Sequence, residues 1–591
     1  MFDTKHLWET SYPIDSSHLF SYPRSGTSLF SKVRRWFGSQ PDLDMNQVLP
    51  IRRPLEGEHF QVIVIGGGIN GVAIARECAR AGRRTLLVEQ QDFAAGTTSR
   101  ATRIIHGGLR YLEHAEIGLV RESLAERRRL LQERPHLVHP VHFLLALDQD
   151  SGRSALAVRT GLWLYRRLGG GRLRADSSQE DERKLERLLD SGRRWSVFSY
   201  EDAQCEFPER LVAEWLVEAM EAGAVARNHS QVLAVDVRHR RVVGVLLRDQ
   251  ISGKEERVEG TWIINATGPW VDRVCLRSQI NTPNPLVGGI RGSHIVVPRF
   301  AGAPEAAVYT EAVDKRPIFV IPWNEQILVG TTEVAEQGDP SKVQPAPEEI
   351  DYLVRSLHHL FPRHKLSAGD IRYAFAGVRP LPFAPEEKAS SVTRRHHLRD
   401  HAQDGAEHMI SVIGGKLTTA AELARQCAAK IGVSRKPSKT LAIGSANSTE
   451  LLLDQWVVEI GNAGGISEAA AHSIVEWHGK RALEISRVAQ CGAELRAPLC
   501  SHTEHIVAEA VDAFTGECAV TLGDVLLRRV PVALGGCWSP ACSREAAARI
   551  AAAVGWTDKQ TGSELDAFEI ERSAFLRKPT QVNSRLEAAA D

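Results

Sequence analysis

The sequence predicts an α/β fold: a Rossmann-like dinucleotide-binding domain with an inserted, mainly antiparallel-sheet substrate domain, followed by a C-terminal helical domain. Three observations predict it. A β-branched apolar run at 61–65 meets the cluster Gly66-Gly67-Gly68-Ile69-Asn70-Gly71, and a second apolar run ends in Asn265-Ala266-Thr267-Gly268. Beyond about residue 440, alanine and leucine dominate and strand signals are few.

A short apolar run entering a glycine cluster reads as a buried parallel strand. The small and apolar residues of 69–81 suit a helix stopped by Gly82, and Thr85-Leu86-Leu87-Val88-Glu89 supplies a second strand, completing one β-α-β unit. Gly66, Gly68 and Gly71 stand at the strand-to-helix junction as G-x-G-x-x-G. The first glycine allows the tight turn, the second removes a side chain where a pyrophosphate must approach, and the third lets the helix lie close to the strand. Helix-start N–H groups and the helix dipole then face the anion. Glu89, 18 residues after Gly71, is placed to accept hydrogen bonds from ribose hydroxyls and argues against a 2′-phosphate. This unit alone leaves FAD and NAD both open. The returning strand with Thr267 and Gly268 resembles the second motif of two-domain flavoproteins and favours FAD.

With 25% charged and 43% hydrophobic residues in 591, the chain has an ordinary globular composition. Lysine plus arginine equals aspartate plus glutamate at 73 each, so no global field selects nucleic acid and attraction for phosphate has to be local. Nine scattered cysteines without a C-x-x-C pair predict a reduced protein with no structural metal. No stretch approaches the roughly 18 apolar residues of a spanning helix, so any membrane contact is expected to be peripheral. Two basic-aromatic stretches could supply it, 29–37 and 159–167; the alternatives are a loosely ordered extension for the first and a packed helix for the second.

The pattern further predicts a long surface helix over 116–134, ended by Pro135, and an exposed, charged excursion over 156–195. Alternating runs at 232–258, 293–299, 318–323 and 327–334 predict the second sheet. The expected divisions are an extension at 1–58, the oxidoreductase region at 59–440, the helical domain at 441–577 and a tail at 578–591.

From about residue 61 to 556 the chain closely resembles the FAD-dependent glycerol-3-phosphate dehydrogenase family. The resemblance rests on Gly66 to Gly71, Gly96-Thr97-Thr98-Ser99-Arg100, Ile105-His106-Gly107-Gly108-Leu109-Arg110-Tyr111-Leu112-Glu113-His114 and Gly292-Ser293-His294-Ile295-Val296-Val297-Pro298. It continues through Gly330-Thr331-Thr332, Gly377-Val378-Arg379-Pro380-Leu381, Gly414-Gly415-Lys416-Leu417-Thr418-Thr419 and, near the end, the 521–529 string and Val554-Gly555-Trp556.

The resemblance implies a Rossmann-like FAD-binding domain and oxidation of sn-glycerol 3-phosphate to dihydroxyacetone phosphate, with electrons passed to a quinone. It also implies peripheral attachment at the cytoplasmic face of a membrane and is compatible with a homodimer. Arg110, Arg379 and Lys416 match the phosphate-binding positions, where arginine makes a two-point contact and lysine a point contact. His294 is the leading proton-transfer candidate because histidine can operate near neutral pH, with His106, Arg379 and a water as alternatives. Tyr111 matches an active-site tyrosine, and Thr98, Ser99, His106, Leu417 and Thr418 match cofactor contacts.

Asp524 and Arg528 are read as a helical ion pair, in a C-terminal domain that serves stability or association. Pro208, Glu333 and the pair Ala420-Ala421 depart from the family pattern and bear on substrate choice. The competing readings are an oxidase that uses oxygen and a non-catalytic flavin-binding scaffold.

Overall fold

The structure is a computed structural model that describes residues 52–113, 116–169, 178–364, 366–386, 392–433 and 446–576. The stretch at 29–37, the expected boundary near 440 and the tail at 578–591 lie outside the described residues.

The first sheet has eight strands. His59–Ile65 lies between Thr85–Val88 and Glu255–Asn265, parallel to both, and Ile65 is in register with Val88 on one side and Asn265 on the other. Three strand ends therefore finish at one edge, immediately before Gly66, as ligand crevices in parallel sheets require. Val225–Arg227 and Met409–Ile413 extend the parallel array outward. Ile69–Arg80 is the crossover helix; its Val72, Ile74, Ala75 and Cys78 are fully buried.

The alternation at 232–258 does form strands, but not in the second sheet. Ser230–Arg238 and Arg241–Asp249 pair as a hairpin, and the latter runs antiparallel to the first half of Glu255–Asn265, with Gly244 opposite Glu259. Alternation marks a half-buried strand without saying which strand it will join.

The second sheet has nine strands and is mainly antiparallel. Val287–Pro298 is its organising strand, flanked by Gln326–Gly330 and Tyr373–Pro382. Its far side is built from Val138–Asp148 and Trp195–Cys205, antiparallel over their whole lengths. The excursion expected over 156–195 is not simply exposed: the helix Ala155–Gly169 buries Val158, Leu162 and Tyr165, one face at helical spacing inside an arginine-rich stretch. Packing thus claims Leu162 and Tyr165 of the basic-aromatic segment. Ile117–Glu133 is the long helix read at 116–134, with Leu119, Val120, Leu124 and Leu130 inward.

From Ala446–Gly464 to Asp558–Phe575 the chain is helical, and its core runs on into that of the second sheet. Phe575 meets Phe375 at 5.8 Å and Trp477 meets Phe207 at 4.7 Å. Buried charges bolt the layers together. Asp92, just after the second strand of the first sheet, accepts from Arg528 at 2.5 Å and from Arg529 at 2.8 Å. Arg210 and Glu517, both without solvent exposure, pair at 2.7 Å. Asp524 and Arg528 are 3.0 Å apart, so that spacing does make the expected ion pair.

Candidate active site

The glycine loop divides into positions the fold itself needs and one it does not. A Cβ at Gly66, where φ is +105°, would lie 2.6 Å from the Ala266 carbonyl oxygen, and one at Gly71 would lie 1.8 Å from that of Gly66. Neither can carry a side chain in this turn. At Gly68 a Cβ would meet only the Thr98 hydroxyl, at 3.4 Å. A bare position there leaves room for the close approach that the pyrophosphate of a dinucleotide requires. Asn70 in the same turn keeps a buried Oδ1 without a hydrogen-bond partner, while its Nδ2 donates to the Gly414 carbonyl at 3.3 Å.

Around this cradle the remaining candidates are tied to the backbone. Glu89 accepts from the N–H groups of Gly67 at 2.7 Å and Gln91 at 2.8 Å, so its carboxylate is fixed at the strand end. The Thr98 hydroxyl accepts from Ile69 N–H at 3.1 Å, and Ser99 donates to the Ala94 carbonyl at 2.8 Å. Both hydroxyls shape the loop. Thr267 donates to Asn265 Oδ1 at 2.7 Å, and Gly268 adopts a φ of +57°.

The second group of candidates meets in a cavity of about 410 Å³ between the two sheets, lined by His106, Arg110, Tyr111, His294, Arg379 and Lys416, with Leu417 and Thr418. Small residues make the room. A Cβ at Gly292 would fall 2.5 Å from the Arg379 guanidinium and 2.6 Å from the Thr331 hydroxyl, and one at Gly330 would fall 2.2 Å from the His294 ring. The Thr418 hydroxyl accepts from His106 N–H at 3.2 Å, joining segments 312 residues apart.

Charge in the cavity is unevenly compensated. Glu333 pairs with Arg394 at 2.9 Å and stands 4.0 Å from Arg110. Among the described residues, Arg379 donates to neutral oxygens, Thr331 Oγ1 at 2.8 Å and the Thr332 carbonyl at 3.4 Å, and Lys416 donates to Ser123 Oγ at 3.1 Å. Among the described residues, neither makes an ion pair. Burial pushes the Lys416 ammonium down to about 7 and, with Arg394 nearby, the Arg379 guanidinium down to about 10. Lys416 also sits 4.3 Å above the Tyr111 ring, a cation–π contact.

His294 is 2% exposed; its Nε2 is 3.0 Å from Thr102 Oγ1, its ring stacks on Phe375, and its Nδ1 is buried without a partner. Burial, then Arg379 and Arg103, push its pKa down to about 3, and burial and Lys416 do the same to His106. Titration near neutrality, the reason for favouring histidine from sequence, is therefore not what this site provides. Burial thus favours the neutral form of both rings, in which one nitrogen donates and the other accepts.

Several cavity partners were not singled out from sequence: Arg394, Thr102, Thr331, Ser123 and the Tyr165–Asp202 pair. Tyr165 donates to Asp202 at 2.8 Å and accepts from Gly107 N–H at 2.7 Å, buttressing the turn that presents His106, Arg110 and Tyr111. Only the helical spacing of Val158, Leu162 and Tyr165 hinted at that role. Of the departures, Glu333 lines the cavity. Pro208 is the first residue of Pro208–Glu221, and Ala420 and Ala421 begin Ala420–Lys430.

Comparison with known proteins places this geometry in context. Residues 61–429 match the FAD dependent oxidoreductase family, and residues 405–561 match the C-terminal domain of alpha-glycerophosphate oxidase. A glycerol-3-phosphate dehydrogenase of Synechocystis sp. is 38% identical over 81% of this chain and 90% of its own length. A D-erythritol 1-phosphate dehydrogenase of Brucella abortus is 37% identical over 63% of this chain and 73% of its own. In fold, the chain is similar to the glycerol-3-phosphate dehydrogenase of Bacillus halodurans complexed with FAD: TM-score 0.71, 22% identity, 89% of this chain and 97% of that one.

Proposed function

Because the chain belongs to the FAD-dependent glycerol-3-phosphate dehydrogenase family, we propose that it oxidises sn-glycerol 3-phosphate to dihydroxyacetone phosphate and delivers the electrons to a quinone. The observation that carries the substrate assignment is the pair Arg379 and Lys416, two cations lining one cavity whose hydrogen-bond partners among the described residues are neutral. Desolvated charge left in that state favours an anion in the cavity.

Bound FAD supplies the acceptor for the hydride that leaves C2 of the substrate. The protein's own groups hold the substrate and move the proton. Arg379 and Arg110 engage the phosphate as forks and Lys416 as a point charge, while Tyr111 walls the site beneath Lys416. His294 accepts the C2 hydroxyl proton, so that the alcohol loses one proton and one hydride and becomes the ketone. Its low basicity arises in part from Arg379. A phosphate dianion on that arginine offsets the repulsion, so substrate binding raises the basicity of the imidazole when the proton has to move.

On the cofactor side, Gly66, Gly68 and Gly71 with the start of the Ile69–Arg80 helix hold the pyrophosphate and Glu89 the ribose. Thr98, Ser99, His106, Thr267, Gly268, Leu417 and Thr418 shape the remainder of the cofactor's bed.

Anaerobic titration of the flavin-loaded protein with sn-glycerol 3-phosphate, beside D-erythritol 1-phosphate, tests the substrate. Bleaching by the glycerol ester at lower concentration is the expected result; preference for the tetritol ester overturns the assignment. Admitting a quinone analogue or oxygen to the reduced protein then tests the acceptor, and rapid peroxide formation would make it an oxidase.

Peripheral membrane attachment is part of the same reading. On the helix Ala155–Gly169, Leu156 and Trp163 are 76% and 64% exposed beside Arg159, Arg166 and Arg167, and no helix among the described residues is long and apolar enough to cross a membrane. Sedimentation with anionic vesicles at low salt, reduced by Trp163→Ala, is the expected behaviour.

A further inference from the structure

We propose that Cys500, His502, Cys537 and Cys542 form a site for one zinc-type divalent ion in the C-terminal domain. The ligand atoms of Cys500, His502 and Cys542 lie within 4.8 Å of one another, with Cys542 Sγ 3.4 Å from His502 Nδ1. Cys537 stands beside these three rather than among them: its Sγ is 3.9 Å from the His502 carbonyl oxygen, and its own carbonyl is 3.7 Å from Cys542 Sγ, so this exposed thiol would have to swing inward to become the fourth donor. Three thiols and an imidazole are a soft donor set, and Cys₃His is one of the closed tetrahedral combinations that zinc occupies. Cys500 and Cys542 are buried while His502 and Cys537 are exposed, so an ion has both an inner anchor and an entry path.

The spacing explains why the chain reads as metal-free. The donors fall into two short pairs, Cys-x-His at 500–502 and Cys-x₄-Cys at 537–542, and neither is a C-x-x-C. Only folding of the Pro540–Val554 helix against the loop at 500–505 brings them together. A second cluster, Asp92, His229 and Asp524, is spatially similar. There, however, Arg528 and Arg529 already neutralise the carboxylates. At the Cys537 and Cys542 sulfurs, among the described residues, the hydrogen-bonding neighbours are Ser539, His502 and backbone carbonyls rather than a guanidinium.

An ion at this site would clamp a seam. The segment just before Cys537 touches the second sheet: the Leu534 carbonyl accepts from Tyr373 Oη at 2.6 Å and Gln326 Nε2 at 3.2 Å, and Gly536 O accepts from Arg372 at 2.5 Å. Tyr373–Pro382 is the strand that carries Arg379. The ion therefore ties the helical domain to the base of a substrate-site strand.

The test is metal content of the full-length, FAD-loaded protein purified with thiol reductant, followed by chelation and titration with Co²⁺. The expected result is one zinc per chain and, after exchange, the intense visible bands and sulfur-to-cobalt charge transfer of a tetrahedral thiolate site. His502→Ala and Cys537→Ser, at exposed positions that leave the core intact, should weaken Co²⁺ binding at least roughly tenfold and lower the melting temperature with the flavin spectrum retained. Cys491→Ser, at an exposed cysteine outside the cluster, should change neither. Absence of zinc together with no cobalt bands in folded holoprotein overturns the proposal, as does a Cys500–Cys542 disulfide in place of the ion or full metal retention in His502→Ala.

Discussion

Two charged assemblies lie within the protein, and they differ in how fully their cations are paired with carboxylates. In the seam between the first sheet and the helical domain, Asp92 faces Arg528 and Arg529, and Asp524 faces Arg528 and His229. Each guanidinium there has a carboxylate. In the cavity, Arg394 and Arg110 share Glu333, while among the described residues Arg379 and Lys416 make no ion pair and hydrogen-bond to hydroxyl and carbonyl oxygens. A compensated network is complete without a ligand; an under-compensated one is stabilised by an incoming anion. On the proposed function, the same residue types do opposite work, and the partner atoms decide which.

The largest expected effect tests the first assembly. Asp92→Ala takes from buried Arg529 its carboxylate partner and from Arg528 one of three, and should lower unfolding stability by about 3–5 kcal/mol, read as a shift of the denaturant midpoint. KM for substrate in the folded fraction should stay unchanged; a large rise in KM would mean the two assemblies are coupled. Next comes Arg379→Ala, which should cost about 2–5 kcal/mol of substrate affinity, roughly 30- to 5000-fold, while FAD remains bound. Flavin loss parallel to activity loss would instead place Arg379 in the cofactor bed.

His294→Asn should lower kcat by roughly 100-fold with KM little changed, because it removes the proposed proton acceptor and leaves the cations in place. An equal rise in KM would reassign His294 to binding. The smallest effect sharpens the comparison by pH. Burial holds the Lys416 ammonium at about 7 in the free protein, and a bound dianion raises it, so above pH 7 the protein must take up a proton to bind. Affinity is full below pH 7 and should fall about fivefold between pH 7 and 8. Lys416→Arg should abolish that limb of the kcat/KM profile. His294 and His106, both held near 3, cannot produce it, so its survival in the arginine variant would exclude Lys416 as its source.

The cradle was legible because its signals are contiguous. The apolar strand, the three glycines, the helix and Glu89 all fall within 61–89, and the backbone conformation at Gly66 and the crowding at Gly71 follow from that local turn. The cavity was legible only where long family-like strings marked it. Arg394 gave no signal, since an arginine pair in a polar stretch reads as solvated surface. The hairpin at 230–249 joined the first sheet, because alternation records a half-buried face and leaves the partner strand unspecified.

By itself the sequence determined the glycine turn, the parallel strand it ends, the helical C-terminal region and the residue types able to hold a phosphate, because each depends on neighbours within a few positions. Tertiary structure alone decided which cations keep a carboxylate, which histidine nitrogen is left without a partner, and which cysteines meet. Those outcomes depend on contacts across hundreds of residues, as between Lys416 and Ser123, 293 apart, where packing sets both the distance and the desolvation that give a charge its function.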